Sequence, residues 1–241
     1  MESTMDFLLS PRLMAIAKFV LPDLPVADIG SDHAYLPSFL ILSGRVPRAI
    51  GVEISTGPWE RAQNHVNVRG LAGKIDVRLG AGLGPLEPGE MATAIIAGLG
   101  GRTINGILEE GGPVLPTIKR LVLQPMSGVH LVRKWLVSHG WGLVDEDLVQ
   151  EGDRIYVILV TEKQKKAPVL NELELEVGPV LKDKRHPLLV TYLETRKKHY
   201  RDIWQGLSLS RRPDVVSRQQ DMEKTIVQLE EVIRCLSHAK K

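Results

Sequence analysis

The chain has 241 residues, of which 43% are hydrophobic and 25% charged, and its formal net charge is +2. This composition predicts a packed globular protein and excludes a wholly disordered one, while the near balance of charge confines any nucleic-acid surface to a local patch. The one cysteine, Cys235, excludes an internal disulfide and a cysteine-based zinc cluster. We find no secretory signal pattern and no apolar run long enough to span a membrane, so a cytoplasmic protein is expected.

Strand and helix patterns alternate through the first two thirds of the chain. An amphipathic helix over 8–20, capped by Ser10, precedes a strand that ends at Ile29. Further strands are predicted over 49–53, 75–79, 93–97 and 120–123, with helices over 36–42, 57–69, 103–110 and 129–138. Two longer strands, 142–149 and 154–161, close the series. Short apolar strands that alternate with helices indicate an α/β fold, and the last two strands indicate an antiparallel hairpin.

The residues beyond Glu162 follow a different pattern. A lysine-rich linker, 163–168, leads into apolar residues that recur every three or four positions, with a break over 208–214. The two seams consist of Leu189, Leu193, Arg196, Tyr200, Ile203 and Leu207, and of Val215, Gln219, Met222, Ile226, Leu229, Ile233 and Leu236. They predict two antiparallel helices packed as a coiled-coil hairpin. We therefore expect an α/β domain over 1–163 and a helical coiled-coil domain over 164–241.

Acids and glycines gather at the carboxyl ends of the predicted strands, where open α/β sheets bind ligands. Asp28 lies at the end of the first strand, Gly30 makes the turn after it, and Glu53 ends the second strand. A single glycine in the first turn weakens a dinucleotide interpretation. Two strand-end acids instead match the layout of an S-adenosylmethionine (SAM) site, in which Glu53 accepts both ribose hydroxyls and the acid at the first turn neutralises the methionyl ammonium. Each acid alone is also compatible with a solvated rim residue, and the glycines after the next two strands with simple tight turns.

Four stretches carry a resemblance to a known family: ADIGSDHAYLP (27–37), AGLGG (97–101), LQP (123–125) with VRKWL (132–136), and DEDLVQEGDRIYVI (145–158). The chain resembles the bacterial TrmK family, whose members are SAM-dependent methyltransferases that modify N1 of adenine 22 in tRNA. The resemblance covers essentially the whole chain. It implies a class I SAM-dependent methyltransferase domain, Rossmann-like, with a seven-stranded sheet of order 3-2-1-4-5-7-6, followed by a C-terminal coiled-coil domain.

The resemblance also implies which residues surround the cofactor. With their immediate neighbours, the expected cofactor-binding residues are Asp28, Gly30, Ser31, Asp32, His33, Glu53, Ile54, Gly80, Ala81, Gly82, Gly98 and Leu99. Two departures from the family pattern stand out. Ala81 occupies the place of an aspartate that normally holds the adenine amino group of SAM, and Met126 occupies the place of an asparagine. Adenine recognition is therefore expected to use backbone groups or another residue.

The expected reaction is an in-line displacement at the sulfonium methyl. Adenine N1 has an in-plane lone pair and needs no deprotonation, so placement of the base is the main requirement, and no metal is expected. Asp32 is expected to stabilise the positive charge on the product. His33 either contacts cofactor or base, or simply begins a helix. Gln124 either reads the adenine edge or satisfies backbone groups of a turn.

Charged clusters complete the prediction. Asp145, Glu146, Asp147 and Glu151 are expected to be solvated edge charges. The expected tRNA-contacting cations are Lys163, Lys165, Lys166, Lys182, Lys184, Arg185, Arg196, Lys197, Lys198, Arg201, Arg211, Arg212 and Arg218, with Arg12 and Arg102 as extra contacts. An ordinary charged helix exterior is the alternative. A monomer that does not bind membranes is favoured. Methylation of another substrate, with the hairpin as a dimerisation arm, and a non-catalytic RNA-binding role stay open as rival functions.

Overall fold

The computed structural model describes residues 9–165, 168–207 and 213–238. The chain divides into two compact units, Met1–Val169 and Leu170–Lys241. Several sequence predictions fall outside the described residues: the start of the first helix at Leu8, Lys166 in the linker, the 208–212 part of the helix break with the expected cations Arg211 and Arg212, and the side chains of Val215 and Arg218. Among the described helices, none is long and apolar enough to cross a membrane.

The first unit is built on a seven-stranded sheet. Its strands are β1 Val26–Ile29, β2 Ala49–Glu53, β3 Ile75–Leu79, β4 Thr93–Gly100, β5 Arg120–Ser127, β6 Trp141–Glu151 and β7 Arg154–Lys163. Their order is β3-β2-β1-β4-β5-β7-β6. The first five strands are parallel, and β7 runs antiparallel to both β5 and β6. The sheet order and the closing hairpin expected from the sequence are confirmed.

Five helices pack against this sheet: α1 Pro11–Lys18, α2 Tyr35–Leu42, α3 Thr56–Val68, α4 Gly101–Glu109 and α5 Val129–Ser138. A 3-10 turn, Leu115–Thr117, precedes β5. The hydroxyl of Ser10 accepts the backbone N–H of Leu13 at 3.4 Å, so Ser10 caps α1 as predicted. The central strands are apolar and buried on both faces, with Ile95, Ile96 and Val122 fully buried. This burial explains why their sequences read as continuous apolar runs.

Strands β4 and β5 extend beyond the ends that the sequence predicted. Loops were expected over 98–101 and 124–126, but pairing continues with Leu99 opposite Pro125 and Gly100 opposite Ser127. The register shifts between Ala97 and Leu99, where Gly98 has a φ of +77° that side-chain-bearing residues rarely adopt. Gly98 therefore lies in a bulged strand pair and not in an open loop.

The acidic stretch of β6 is not uniformly solvated, and for Glu146 that prediction is wrong. Glu146 and Arg133 are both fully buried, and Arg133 Nε donates to Glu146 Oε1 at 2.7 Å. Successive strand residues face opposite ways, and α5 packs against β6, so alternate residues of the stretch point inward. Glu151 also has a partner: it accepts the backbone N–H of Arg12 at 3.0 Å, and this hydrogen bond holds the pKa of Glu151 below its ordinary value.

The second unit is helical, with α6 Glu172–Val177, α7 Pro179–Asp183, α8 Leu189–Leu207 and α9 Pro213–His238. Helices α8 and α9 pack together, and Leu193 and Leu229 of the predicted seams are fully buried. The sequence did not predict α6 and α7, because each is too short for a periodic pattern. Their local signals are an Asn171–Glu174 capping box at the start of α6 and Gly178 between the two helices.

A polar cluster ties α8 to α6. Glu176 accepts from Arg196 Nη2 at 3.1 Å and from the Tyr200 hydroxyl at 2.5 Å. Burial, together with the neighbouring Glu176 carboxylate, raises the pKa of Tyr200. Arg196 was expected to be among the tRNA-contacting cations, but its guanidinium is engaged inside the helical unit. It interrupts the apolar seam because Glu176 lies opposite it.

Candidate active site

The turn after β1 folds back over the end of β2. The backbone N–H groups of Gly30 and Ser31 both donate to the carbonyl of Val52, at 2.8 and 3.3 Å. Gly30 has a φ of +73°, which glycine adopts without strain. A side chain on Gly51 would place its Cβ 2.8 Å from Ser31 Oγ, so glycine is required there for the turn to pack on the strand. This packing fixes the first turn at the carboxyl edge of the sheet.

Two buried carboxyl groups, Asp28 and Glu53, lie at this edge. Burial, with the neighbouring Glu53 carboxylate, raises the pKa of Asp28 to about 7, although the Arg12 guanidinium opposes the shift. Burial also raises the pKa of Glu53, against hydrogen bonds from the Ser31 hydroxyl and the Asp32 backbone. Ser31 Oγ lies 3.2 Å from Glu53 Oε1. A ligand that supplies a cation and hydroxyl donors would stabilise both carboxylates.

A cavity of about 380 Å³ opens at the same edge. It is lined by Ile29, Gly30, Val52, Ile54, Gly80, Ala81, Gly82, Leu99, Thr103, Gly106, Ile107 and Glu110. Its walls are mostly apolar, and its volume is within the range of small-molecule sites. A Cβ on Gly82 would approach the Ile107 side chain to 3.2 Å, so the glycine there keeps the cavity open. The cavity fits a flat, largely apolar ring system beside Glu53.

The structure brings most of the predicted cofactor residues together. The cavity walls include the predicted residues Gly30, Ile54, Gly80, Ala81, Gly82 and Leu99, and buried beside them are Asp28, Ser31 and Glu53. The sequence interpretation missed the wall that α4 supplies: Thr103, Gly106, Ile107 and Glu110. Their spacing of three, four and seven residues places them on one helical face, and it was the signal that could have revealed them.

The segment Asp32–Ala34 has unusual backbone geometry. The φ values of Asp32, His33 and Ala34 are +39°, +66° and +56°, in the left-handed region that costs L-residues roughly 1–2 kcal/mol each. The side chain of Asp32 is 86% exposed, with Oδ1 3.6 Å from His33 Nε2, and the His33 ring stacks on Tyr35 at 5.2 Å between centroids. Neither Asp32 nor His33 lines the cavity. Because solvent screens so exposed a carboxylate, Asp32 can contribute little electrostatic stabilisation from this position.

Gln124 connects three elements behind the site. It is fully buried, and its Oε1 accepts from Arg12 Nη1 at 2.8 Å and from the backbone N–H of Gly98 at 3.2 Å. The Arg12 guanidinium also lies 5.6 Å from the centre of the Tyr156 ring. Of the two roles left open for Gln124, these contacts match the one in which it satisfies backbone groups. No sequence pattern indicated the link to Arg12, since 112 residues separate it from Gln124.

The sheet order, the strand-end acids and the apolar cavity at the carboxyl edge define a Rossmann-like, class I SAM-dependent methyltransferase. The class does not by itself specify the methylated substrate.

Residues 26–231 match the family model described as TrmK, tRNA (adenine(22)-N(1))-methyltransferase, and the chain belongs to this family. It is similar to the tRNA (adenine(22)-N(1))-methyltransferase of Bacillus subtilis (strain 168), with 35% identity over 205 residues that cover 83% of this chain and 86% of the relative. The resemblance inferred from sequence motifs is confirmed.

Two solved structures show the same architecture. The crystal structure of B. subtilis TrmK is 31% identical, has a TM-score of 0.87, and the match covers 95% of this chain and 100% of that one. A Streptococcus pneumoniae protein in complex with S-adenosyl-L-methionine is 33% identical, with a TM-score of 0.83 and coverage of 94% and 100%.

Proposed function

We propose that this protein transfers the methyl group of SAM to N1 of adenine 22 in tRNA. The observation that carries this proposal is the pair of buried acids, Asp28 and Glu53, beside an apolar cavity at the carboxyl edge of the sheet. Family membership supplies the tRNA substrate and the position of the adenine. A relative solved in complex with SAM supports the choice of cofactor.

The residues present fit SAM in three parts. The Asp28 carboxylate pairs with the methionyl ammonium, and the Glu53 carboxylate accepts the ribose hydroxyls. The cavity between Ile54 and Leu99 holds the adenine ring. When bound, SAM supplies a methyl group that its sulfonium already activates, so the protein has to bind, orient and exclude water.

We assign the target base to the bulged end of β4, where the backbone of Gly98 is held in place. Gln124 holds the Gly98 N–H, and Arg12 in turn holds Gln124. We assign Gln124 as a positioning residue that fixes the bulged end of β4. The strained Asp32–Ala34 segment is the second element that we assign to the substrate side, with His33 as the side chain available to contact the target base. Adenine N1 lies on the Watson–Crick edge, so the nucleotide must be unpaired or extruded before transfer.

The binding of SAM should strengthen as the pH rises toward 7. Asp28 has a raised pKa of about 7 and is largely protonated below it, whereas the ammonium of SAM requires the ionised form. Between about pH 5.5 and 7, affinity should increase by up to tenfold per pH unit, because one proton is released for each SAM bound. Calorimetry across this range measures the slope.

The Asp28→Asn variant is the control for this prediction. This variant should bind SAM more weakly, and its affinity should depend less steeply on pH. The pH dependence that remains should come from Glu53, whose pKa is also raised. The same shift predicts that the SAM-free protein loses stability as the pH rises from about 4 to about 7, because over this range Asp28 stays protonated in the folded state but is ionised in the unfolded state; the variant should lack this part of the loss. Affinity of the wild type that does not change with pH would refute the role of Asp28.

The activity is tested by product analysis. The protein is incubated with labelled SAM and unmodified tRNA, and mass spectrometry maps the methylated position. N1-methyladenine at position 22 is the expected product. Binding of SAM without methylation of any tRNA that carries an accessible adenine 22 would exclude the proposed reaction, and labelling of another substrate would favour the rival methyltransferase role.

We also propose that the second unit contacts the tRNA backbone through its unpaired cations. Several cations of the expected patch are already neutralised: Arg196 pairs with Glu176, Lys197 with Glu194 and Arg201 with Glu230. By contrast, Lys182, Arg185 and Lys198 are exposed and form no ion pair with any described residue. These side chains are free to bind tRNA phosphates and so to release the counterions condensed on the RNA backbone.

Charge reversal tests this surface. Replacing Lys182, Arg185 and Lys198 together by glutamate should lower tRNA affinity by at least tenfold and reduce the salt slope, by roughly 0.7–0.9 for each phosphate that the protein no longer neutralises. SAM affinity should not change. Lys74→Glu, an exposed position before β3 at the opposite edge of the sheet from β6, is the control for charge reversal as such. Unchanged tRNA affinity in the triple variant would place the RNA surface elsewhere.

We propose further that the protein acts on tRNA as a cytoplasmic monomer. Light scattering of the purified protein with and without tRNA tests this proposal. A dimer lost on deletion of residues 164–241, with tRNA methylation retained, would instead identify the helical unit as a dimerisation arm.

A further inference from the structure

The α4 wall of the cavity contains one carboxylate. Among the described residues that line the cavity, Glu110 is the one with a charged side chain. That side chain is exposed and makes no hydrogen bond or ion pair with any described residue. Its neighbour Glu109 differs, since Glu109 Oε1 accepts from Trp135 Nε1 at 2.5 Å. Glu110 is therefore free to serve a ligand in the cavity.

Helix stability does not explain this face of α4. Glu110 is the C-terminal cap of the helix, where the partial negative charge of the last carbonyls disfavours an anion. Gly106 lies in the helix interior, where glycine is unfavourable, and a Cβ there would meet no atom within 4 Å outside its own helix. An open space in front of Gly106 and an unpaired acid one turn later are instead what a flat ligand with an amino donor requires.

We infer that Glu110 accepts the hydrogen bond of the 6-amino group of the cofactor's adenine. The inference rests on the proposed function, because it requires SAM in this cavity. Glu53 directly precedes Ile54, so a ribose held by Glu53 places its base in the space that Ile54 and Glu110 both line. Ala81 lines the same space and has no side-chain acceptor. Glu110 thus supplies, from α4, the acid that is absent at position 81.

The test compares two ligands that differ only at the purine 6-position. They are S-adenosylhomocysteine and its analogue in which hydrogen replaces the 6-amino group, both measured by calorimetry. The wild type should prefer the amino ligand by about five- to tenfold, the worth of a partly solvated hydrogen bond to a charged acceptor. In Glu110→Ala this preference should fall to less than about twofold, through weaker binding of the amino ligand alone.

Three further variants sharpen the result. Adding Ala81→Asp to Glu110→Ala should restore the preference, because an acceptor then returns to the same cavity. Thr103→Ala removes the hydroxyl on the α4 wall and should keep the preference. Glu60→Ala, an exposed acid on α3 that does not line the cavity, should match the wild type for both ligands.

The outcomes separate this inference from the proposed function. A preference that survives in Glu110→Ala, or is lost in Thr103→Ala, overturns the assignment of Glu110 while leaving the cofactor site intact. Equal binding of both ligands by the wild type does the same. Failure of the wild type to bind S-adenosylhomocysteine at all would instead reject the cofactor site, and the role of Glu110 with it.

Discussion

Glu53→Ala is expected to weaken SAM binding by at least about a hundredfold. The carboxylate is placed to accept two ribose hydroxyls, and each hydrogen bond to a charged acceptor is worth roughly 1.5–3 kcal/mol. Glu53→Gln keeps the shape of the side chain and one acceptor oxygen. Its affinity for SAM should therefore be only about tenfold lower than that of the wild type. Calorimetry with SAM and S-adenosylhomocysteine measures both variants, and Glu60→Ala is the matched surface control.

The same variant should not lower the stability of the SAM-free protein. Burial raises the pKa of Glu53, which means that the folded state holds this carboxylate at a cost before the ligand arrives. Removing the charge relieves that cost, while Ser31 loses one acceptor. Thermal unfolding without ligand should therefore give an equal or higher midpoint. Wild-type affinity for both ligands in Glu53→Ala would reject the ribose assignment.

Arg133→Met is expected to destabilise the fold by about 3–5 kcal/mol. The substitution leaves Glu146 fully buried without its main countercharge, and an unpaired buried charge is among the costliest defects in a protein. The pair lies between α5 and β6, away from the residues that line the cavity. Urea denaturation should show the loss, and SAM affinity should be preserved at temperatures where the variant is folded.

A double variant separates the charge from the packing. Arg133→Met with Glu146→Leu replaces the ion pair by apolar side chains, and most of the lost stability should return. Breaking the exposed pair by Arg201→Met should cost less than about 1 kcal/mol, because solvent screens it. A loss below about 1 kcal/mol in Arg133→Met would show that water reaches Glu146.

Local patterns predicted the parallel core well. Strands β2 and β3 and helix α5 have the bounds that the sequence indicated, because short apolar runs and flanking turn residues define them without help from distant residues. Gly98 was misplaced in a loop, since a bulge and a turn have the same glycine signature. Glu146 was misjudged because the identity of an acid does not reveal what packs over it.

The candidate site divides in the same way. The strand-end residues were predictable, because the carboxyl ends of parallel strands must meet at one edge. The connections among Arg12, Gln124 and Gly98 were not, since they join residues that no local period relates. Glu110 could have been found only by asking which face of α4 looks toward the strand ends.

The hydrogen bond between the Arg12 backbone and Glu151 has a consequence for the order of assembly during synthesis. Strand β1 is central, yet the residues of β4 that pair with it are made 67 residues later, and pairings so distant along the chain slow folding. The first turn of α1 acquires its hydrogen-bond partner later still, because Glu151 in β6 lies 139 residues after Arg12. A nascent chain that has emerged only through β5 thus has both acids of the cofactor site and Gln124, the side-chain partner of Arg12, but it lacks the acceptor for the Arg12 backbone N–H. The first turn of α1 is therefore fixed only after β6 has left the ribosome, whereas all the residues that line the cavity are made earlier.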